Sequence, residues 1–350
     1  MQMPKILDCT LRDGSYAIRF QFTAEDTSLI AAALDEAGIP FIEVGHGVGL
    51  GASERGFEVA AEQDEVYMQA AANSVRHNRW GMFCIPGIAR LEHVELAASY
   101  KMDFIRIGSN LADVESTRPY IECAKKHGMY VAANFMKSYS SPPEVFLEKV
   151  RLSVSYGADL VYLVDSAGGM LPEEIRHYIT TVKDALPQVG LGFHGHNNLG
   201  LGVANALVAN ELGVEVVDAS LQGIGRGGGN TCLEQYVCAL QRSGLPTKLD
   251  PVYLMTIARK YVAPKMSHPG PLSLDVVSGL ALFHSSYMPI IEKYALRYRV
   301  DPHKLIIAVC EKNRTSAPEA LVEEEARHLA EAGIRSNGLQ FAPYYGQEQD

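Results

Sequence analysis

A chain of 350 residues, 47% apolar and 21% charged, is long enough for one large globular unit with an appendage. Its formal net charge of −10 argues against a surface that tracks nucleic-acid phosphates. No apolar run reaches the roughly eighteen residues of a membrane helix, so neither nucleic acid nor membrane is an expected partner. Cys9, Cys84, Cys123, Cys232, Cys238 and Cys310 form no C-x-x-C pair, and the N-terminus enters a strand with no signal-peptide pattern. Both features lead to the expectation of a cytoplasmic enzyme with reduced thiols.

Short apolar runs alternate with helix-patterned stretches along most of the chain. Strands are predicted at 5–9, 41–45, 80–85, 104–108, 129–135, 160–165, 190–194 and 215–219. Helical periodicity marks 24–37, with Thr23 as N-cap and Gly38 as stop, then 88–99, 112–127, 142–156, 172–186, 201–212 and 230–242. Nearly continuous apolar strands such as Leu160–Val164 suit a parallel sheet buried on both faces. Eight such units predict the α/β class and a (β/α)8 TIM barrel; a doubly wound sheet is the alternative, but no G-x-G-x-x-G follows the first strand. After Ser243-Gly244-Leu245-Pro246 the strand signal stops, and helices are expected at 251–263, 273–298, 302–312 and 315–332. The expected organisation is a catalytic barrel over 1–245, a helical C-terminal region over 246–335 and a tail over 336–350. The apolar stretch Leu274–Tyr298 exceeds what one barrel face needs, so a homo-oligomer is expected.

Two short motifs sit where strands end: Arg12-Asp13 and His194-Gly195-His196. Residues i and i+2 of a strand share a face about 6–7 Å apart, close enough for two imidazoles to share one cation. A bland reading remains for H-x-H alone, namely two histidines hydrogen-bonding locally. In a barrel, however, the C-terminal strand ends converge, and polar residues collect there. Among them are Glu43, His46, Ser53, Asn134, Lys137, Asp165, Ser166, Asn197, Asn198 and the glycine-rich run Gly223–Asn230. Glu43 has the bland alternative of pairing a cation in the barrel mouth, and Asp165 that of capping a helix. The glycine run offers backbone N–H groups suited to a carboxylate or phosphate, which brings Asn230 into the substrate-binding set with Glu43. Asp13, His194 and His196 with open positions suit Mn2+ or Mg2+, with Zn2+ or Fe2+ as alternatives. Such an ion chelates a 2-oxo acid, and Arg12 is placed to stabilise an enolate oxygen, so metal-assisted aldol or Claisen chemistry is expected.

Several motifs together resemble the 4-hydroxy-2-oxovalerate aldolases, within the superfamily of 3-hydroxy-3-methylglutaryl-CoA lyases and isopropylmalate synthases. They are Asp8-x-Thr10-Leu11-Arg12-Asp13-Gly14, Glu43-Val44-Gly45-His46-Gly47, Val164-Asp165-Ser166, His194-Gly195-His196-Asn197-Asn198 and Gly225-Arg226-Gly227-Gly228-Gly229-Asn230. The resemblance implies that Asp13, His194 and His196 ligate Mn2+, that Arg12 stabilises a pyruvate enolate, and that Ser166 and His194 contact the 2-oxo acid. It implies cleavage of a 4-hydroxy-2-oxoacid to pyruvate and an aldehyde, and an acylating aldehyde dehydrogenase as a partner. Departures concentrate in one half of the site. The family's general-base histidine aligns with Tyr16, a second histidine with Tyr139, and two C-terminal tyrosines with Leu280 and His284. Proton transfer is therefore expected from Tyr16, His46 or a metal-bound hydroxide. Competing readings are an acyl-CoA Claisen enzyme of the isopropylmalate synthase kind, a non-catalytic partner protein and a Schiff-base aldolase using Lys137. Against the first of these, no regulatory domain is read after the barrel in this sequence and the cysteine-bearing glycine loop of the CoA lyases is missing.

Overall fold

The computed structural model describes residues 4–245, 247–266 and 273–335, the last span without the side chains of Ser273, Val276 and Leu280. Eight parallel strands pair in chain order and close into a barrel: β1 (Lys5–Asp8), β2 (Phe41–Glu43), β3 (Arg79–Cys84), β4 (Phe104–Asn110), β5 (Tyr130–Met136), β6 (Leu160–Asp165), β7 (Leu191–Gly195) and β8 (Val216–Ala219). Closure is direct, with Ile6 registered on Val217 and Leu7 on Asp218. The expected (β/α)8 barrel is therefore the fold. Outward residues such as Ile42, Met82, Ile105, Val131, Val161 and Phe193 meet the helical shell in one apolar cluster. Inward residues Leu7, Phe41, Phe104, Ala132, Leu160, Tyr162 and Val216 fill the lower interior in a separate cluster. Two residues further along their strands, on the same face, stand Glu43, Arg106, Asn134 and Asp218. The barrel interior thus changes from apolar to ionic about one layer below its mouth.

The outer helices are α1 (Ala24–Glu36), α2 (Asp64–Ser74), α3 (Leu91–Ser99), α4 (Arg118–Lys126), α5 (Pro143–Tyr156), α6 (Pro172–Ala185), α7 (Gly202–Glu211) and α8 (Leu233–Arg242). The Thr23 hydroxyl accepts from the Asp26 N–H while the Asp26 carboxylate accepts from the Thr23 N–H, so α1 starts in a full capping box. Helix α2 does not stand out in the sequence because its buried face is largely alanine: Tyr67, Met68, Ala70 and Ala71. Helix α8 begins three residues later than expected. Asn230 and Cys232 bridge instead to His196 and Ser220, which draws the glycine-rich loop back across the mouth.

Helix α9 (Pro251–Ile257) packs on the barrel shell, with Leu254, Ile257 and Ala258 in the same apolar cluster as the strands. The remaining helices are α10 (Ser273–Ala281), α11 (Met288–Tyr298), α12 (Pro302–Lys312) and α13 (Glu319–Glu331). They bury Leu274, Phe283, Ile291, Tyr294, Leu305, Val309 and Val322 in a cluster of their own. The apolar residues of 274–298 are thereby largely consumed within the chain, though Leu296 stays 61% exposed. The single helix expected over 273–298 is broken. Leu282 takes a left-handed φ of 58°, a turn runs over Ser285–Tyr287, and Pro289 opens α11. That break points His284 toward the barrel mouth. The expected tail, 336–350, and the side chain of Leu280 lie outside the described residues.

The loop after β2 shows how tightly the mouth is built. Gly49 has φ +114°, and a Cβ there would lie 2.6 Å from the Phe83 carbonyl oxygen. Gly38 also has positive φ, +83°, but with nothing within 4 Å of the added atom. Gly49→Ala is expected to cost at least about 2 kcal/mol, and clearly more than Gly38→Ala, in denaturant unfolding; equal costs would contradict this packing.

Candidate active site

Strand β7 carries His194 just before its last residue, Gly195, and its extension carries His196 on the same face, while Asp13 opens the turn that follows β1. The three side chains are buried and offer ligand atoms all within 4.8 Å of one another. Their tautomers are fixed by what lies behind them. His194 Nδ1 pairs with Asp218 Oδ2 at 2.8 Å, and His196 Nδ1 with the Gly229 carbonyl at 3.2 Å. Each Nδ1 therefore carries the ring proton and donates it, which leaves both Nε2 lone pairs for a cation. Asp13 Oδ1 accepts from Asn230 Nδ2 at 2.9 Å and from the Arg226 N–H at 3.3 Å. Asn230 Oδ1 is buried and has no hydrogen-bond partner among the described residues. Two imidazoles with free Nε2 atoms and a carboxylate, all within 4.8 Å of one another, fit a divalent cation with nitrogen and oxygen ligands.

Beneath this triad lies a buried ionic layer. Arg106 donates to Glu43 at 2.8 and 2.6 Å, to Asn134 Oδ1 at 3.3 Å, and to Asp218 Oδ2. Arg12 donates Nε to Glu43 at 2.7 Å and Nη1 to Asp13 at 2.7 Å, with its guanidinium over the Phe83 ring. Its Nη2 makes no hydrogen bond among the described residues, and Arg12 lines the pocket. Burial opposes the charge on Asp13, but Arg12 and the two imidazoles override it and hold the carboxylate well below its usual range. Glu43 and Asp218 are likewise held down against burial, chiefly by Arg106.

The pocket, counted with the space open to solvent at its mouth, spans about 400 Å³ and is lined by Arg12, Asp13, Tyr16, Gly47, Phe83, Ile85, Asn134, Met136, Val164, Ser166, His194, His196, Arg226 and His284. Of the sequence-predicted residues, Arg12, Asp13, Tyr16, Ser166, His194 and His196 meet there. Three others do not line it. Glu43 is fully occupied by two guanidinium groups and is no substrate contact. Asn230 stands behind Asp13 and orients it. His46 stacks on Phe20 at 4.1 Å, accepts from the Val48 N–H at Nδ1 and donates from Nε2 to the Glu58 carbonyl, so neither nitrogen can serve as a base. Lys137 Nζ reaches away from the triad to Tyr287 Oη and the Thr315 carbonyl.

Sequence reasoning missed Arg106, Asp218, Arg226 and the pocket-facing role of His284. A signal existed for the first two: each is a lone charge inside an apolar strand, Phe104-Ile105-Arg106-Ile107 and Val216-Val217-Asp218-Ala219. A charge in a strand buried on both faces must meet a partner.

Two tests follow from this geometry. Asp218→Asn is expected to lower Mn2+ affinity about 10–100-fold by calorimetry, with the fold retained because Arg106 keeps Glu43. Unchanged affinity would show that His194 needs no such anchor. Burial drives His46 from 6.5 down to about 4, against the raising effect of the Glu58 carbonyl. The unfolded chain then takes a proton near pH 6.5 that the folded chain refuses until about pH 4. This contribution to stability is complete above pH 6.5 and lost as pH falls toward 4. His46→Gln should reduce the pH-dependent loss in urea unfolding by on the order of 2–3 kcal/mol; an unaltered pH profile would contradict a neutral, buried His46.

A parallel barrel with a buried Asp-His-His triad at its mouth defines a metal-binding barrel enzyme. The HMGL-like family model matches residues 3–260. A 4-hydroxy-2-oxovalerate aldolase from Carboxydothermus hydrogenoformans is 36% identical over 329 residues, covering 94% of this chain and 98% of the relative. Another from Burkholderia pseudomallei is 37% identical over 328 residues, covering 93% and 94%. Among solved structures, the HMG-CoA lyase from Brucella melitensis shares the fold at a TM-score of 0.66 and 20% identity, covering 77% of this chain and 100% of its own. The chain belongs to the 4-hydroxy-2-oxovalerate aldolase family, a family of carbon–carbon lyases within the HMGL-like group. Among the described residues, no helix is long and apolar enough to cross a membrane.

Proposed function

We propose that the chain is a divalent-metal-dependent aldolase that splits a 4-hydroxy-2-oxo acid into pyruvate and an aldehyde and joins them in reverse. The observation that carries this reading is the convergence of Asp13, His194 and His196, with both imidazole Nε2 atoms open, beside the unengaged Nη2 of Arg12. Asp13, His194 and His196 hold Mn2+ or Mg2+, which when bound supplies a Lewis acid for negative charge on the 2-oxo group.

The chain's own side chains account for the rest. Arg12 is locked by Glu43 and Asp13, so its free Nη2 edge stays aimed without reorganisation and donates to the enolate oxygen as charge develops there. Ser166 Oγ accepts from the Lys137 N–H at 2.9 Å, which leaves its hydroxyl proton for a substrate oxygen. Arg226, fixed by Ser285 Oγ at 2.9 Å, adds a second cation to the pocket and favours an anionic substrate. Phe83, Ile85, Met136 and Val164 add apolar lining and limit the water that can quench an enolate.

The competing mechanisms have less support. A Schiff base at Lys137 would require its ammonium to leave Tyr287 and Thr315 and cross to the pocket. A scaffold without catalysis would have no need of fixed imidazole tautomers around a carboxylate.

The test is pyruvate release from 4-hydroxy-2-oxovalerate. It should require added Mn2+ or Mg2+, stop with EDTA, survive borohydride in the presence of pyruvate, and fall about 10²–10³-fold in kcat for Arg12→Lys. Activity that persists in EDTA and is lost to borohydride would replace this reading with the Schiff-base one.

A further inference from the structure

The residues discussed so far stabilise the enolate; none of them takes the proton from the 4-hydroxyl group, without which the carbon–carbon bond cannot break. His46 has both nitrogens engaged. The Tyr16 phenol lies under the Arg226 guanidinium, 4.7 Å from its carbon, and a phenol is a poor base near neutral pH. One further imidazole lines the pocket. His284, 4% exposed, enters it from the break between α10 and α11.

Its two nitrogens face different surroundings. Nδ1 is held by Ser286, with Oγ at 2.8 Å and the backbone N–H at 3.3 Å. Nε2 has no hydrogen-bond partner among the described residues and is not sealed from the cavity. The Ser286 hydroxyl can turn to accept from Nδ1 or to donate to it. With the ring proton on Nδ1, Nε2 presents a lone pair to the pocket; the longer contact from the Ser286 N–H favours the opposite tautomer, in which Nε2 donates. Both states are useful in a reversible aldol reaction.

We infer that His284 is the catalytic residue that exchanges a proton with the oxygen at C4 of the substrate. The assignment rests on the aldolase reading above and adds the half of the chemistry that reading leaves open. In cleavage, the C4 hydroxyl proton passes to Nε2 and the O–H electron pair closes the aldehyde C=O. The C3–C4 pair moves onto C3 as the enolate, which later takes a proton at C3 and leaves the ring neutral. In addition, Nε2–H donates to the aldehyde oxygen. Burial first, and then the cations of Arg226 and Lys137, keep the ring neutral in the free protein, well below the ordinary imidazole value. The substrate carboxylate entering this cation-rich pocket raises the ring's proton affinity at the moment a base is needed.

Oxaloacetate separates this role from a structural one. Loss of CO2 sends the C3–C4 electron pair to the same pyruvate enolate, with no hydroxyl proton to remove. His284→Ala should therefore lose about 10²–10⁴-fold in kcat for cleavage of 4-hydroxy-2-oxovalerate while keeping Mn2+-dependent oxaloacetate decarboxylation and calorimetric Mn2+ affinity. His284→Asn, which can still accept the Ser286 N–H and preserve the turn, should show the same split, and free imidazole should restore cleavage to His284→Ala. Tyr16→Phe should cost less than either. Retained cleavage in both His284 variants overturns the assignment, and so does a parallel fall in the two reactions with weakened Mn2+ binding. If the wild type performs neither reaction with Mn2+, the aldolase reading itself fails.

Discussion

Arg106, at the centre of the barrel, is the contact on which the site depends. It is fully buried, and it joins Glu43 on β2, Asn134 on β5 and Asp218 on β8. An unpaired charge at such depth would cost several kcal/mol, so removing any one partner leaves a penalty that the others cannot fully offset. Glu43 passes the constraint upward to Arg12, and Arg12 to Asp13. Asp218 passes it to His194. A candidate metal ligand from the start of the chain, Asp13, and another, His194, are thus oriented by one guanidinium. The triad and the layer beneath it hold two cations, Arg12 and Arg106, against three anions, Asp13, Glu43 and Asp218, before the Arg226 guanidinium that lines the same pocket is counted.

The upper half of the pocket has a different origin. Barrel strands supply the triad and Arg12, whereas the helical region supplies His284 and, through Ser285, the anchor of Arg226. Attachment is close: Asn198 Nδ2 donates to the Asp275 carbonyl at 3.0 Å, and Lys137 reaches Tyr287. On the aldolase reading proposed above, enolate chemistry rests on the barrel and proton transfer at C4 on the helical region, whose His284 lines the same pocket as Tyr16 from the turn after β1.

Much of this was legible in the sequence, for identifiable reasons. Alternation of apolar runs with helical periodicity is a local property, and eight repeats of it led to the barrel. The triad was legible because Arg12-Asp13 and His194-Gly195-His196 each compress their geometry into two or three residues. Arg106 and Asp218 were not, since their partnership joins strands 112 residues apart and becomes visible only once the barrel closes. Glu43 and His46 were assigned to substrate and catalysis because they stand at a strand end. Strand ends show which residues are near the mouth, but not whether their polar atoms are already taken. His284 was noticed only as a departure at an aligned position, because the periodicity of 273–298 hides the break at Leu282 that turns it inward.

Anomalous diffraction from crystals soaked with Mn2+ and oxalate tests the central claim most directly. The account predicts one manganese peak bound by Asp13 and by the Nε2 atoms of His194 and His196, with oxalate chelated on the side of Arg12. Manganese bound elsewhere, or imidazoles turned to present Nδ1 after abandoning Asp218 and Gly229, would contradict it.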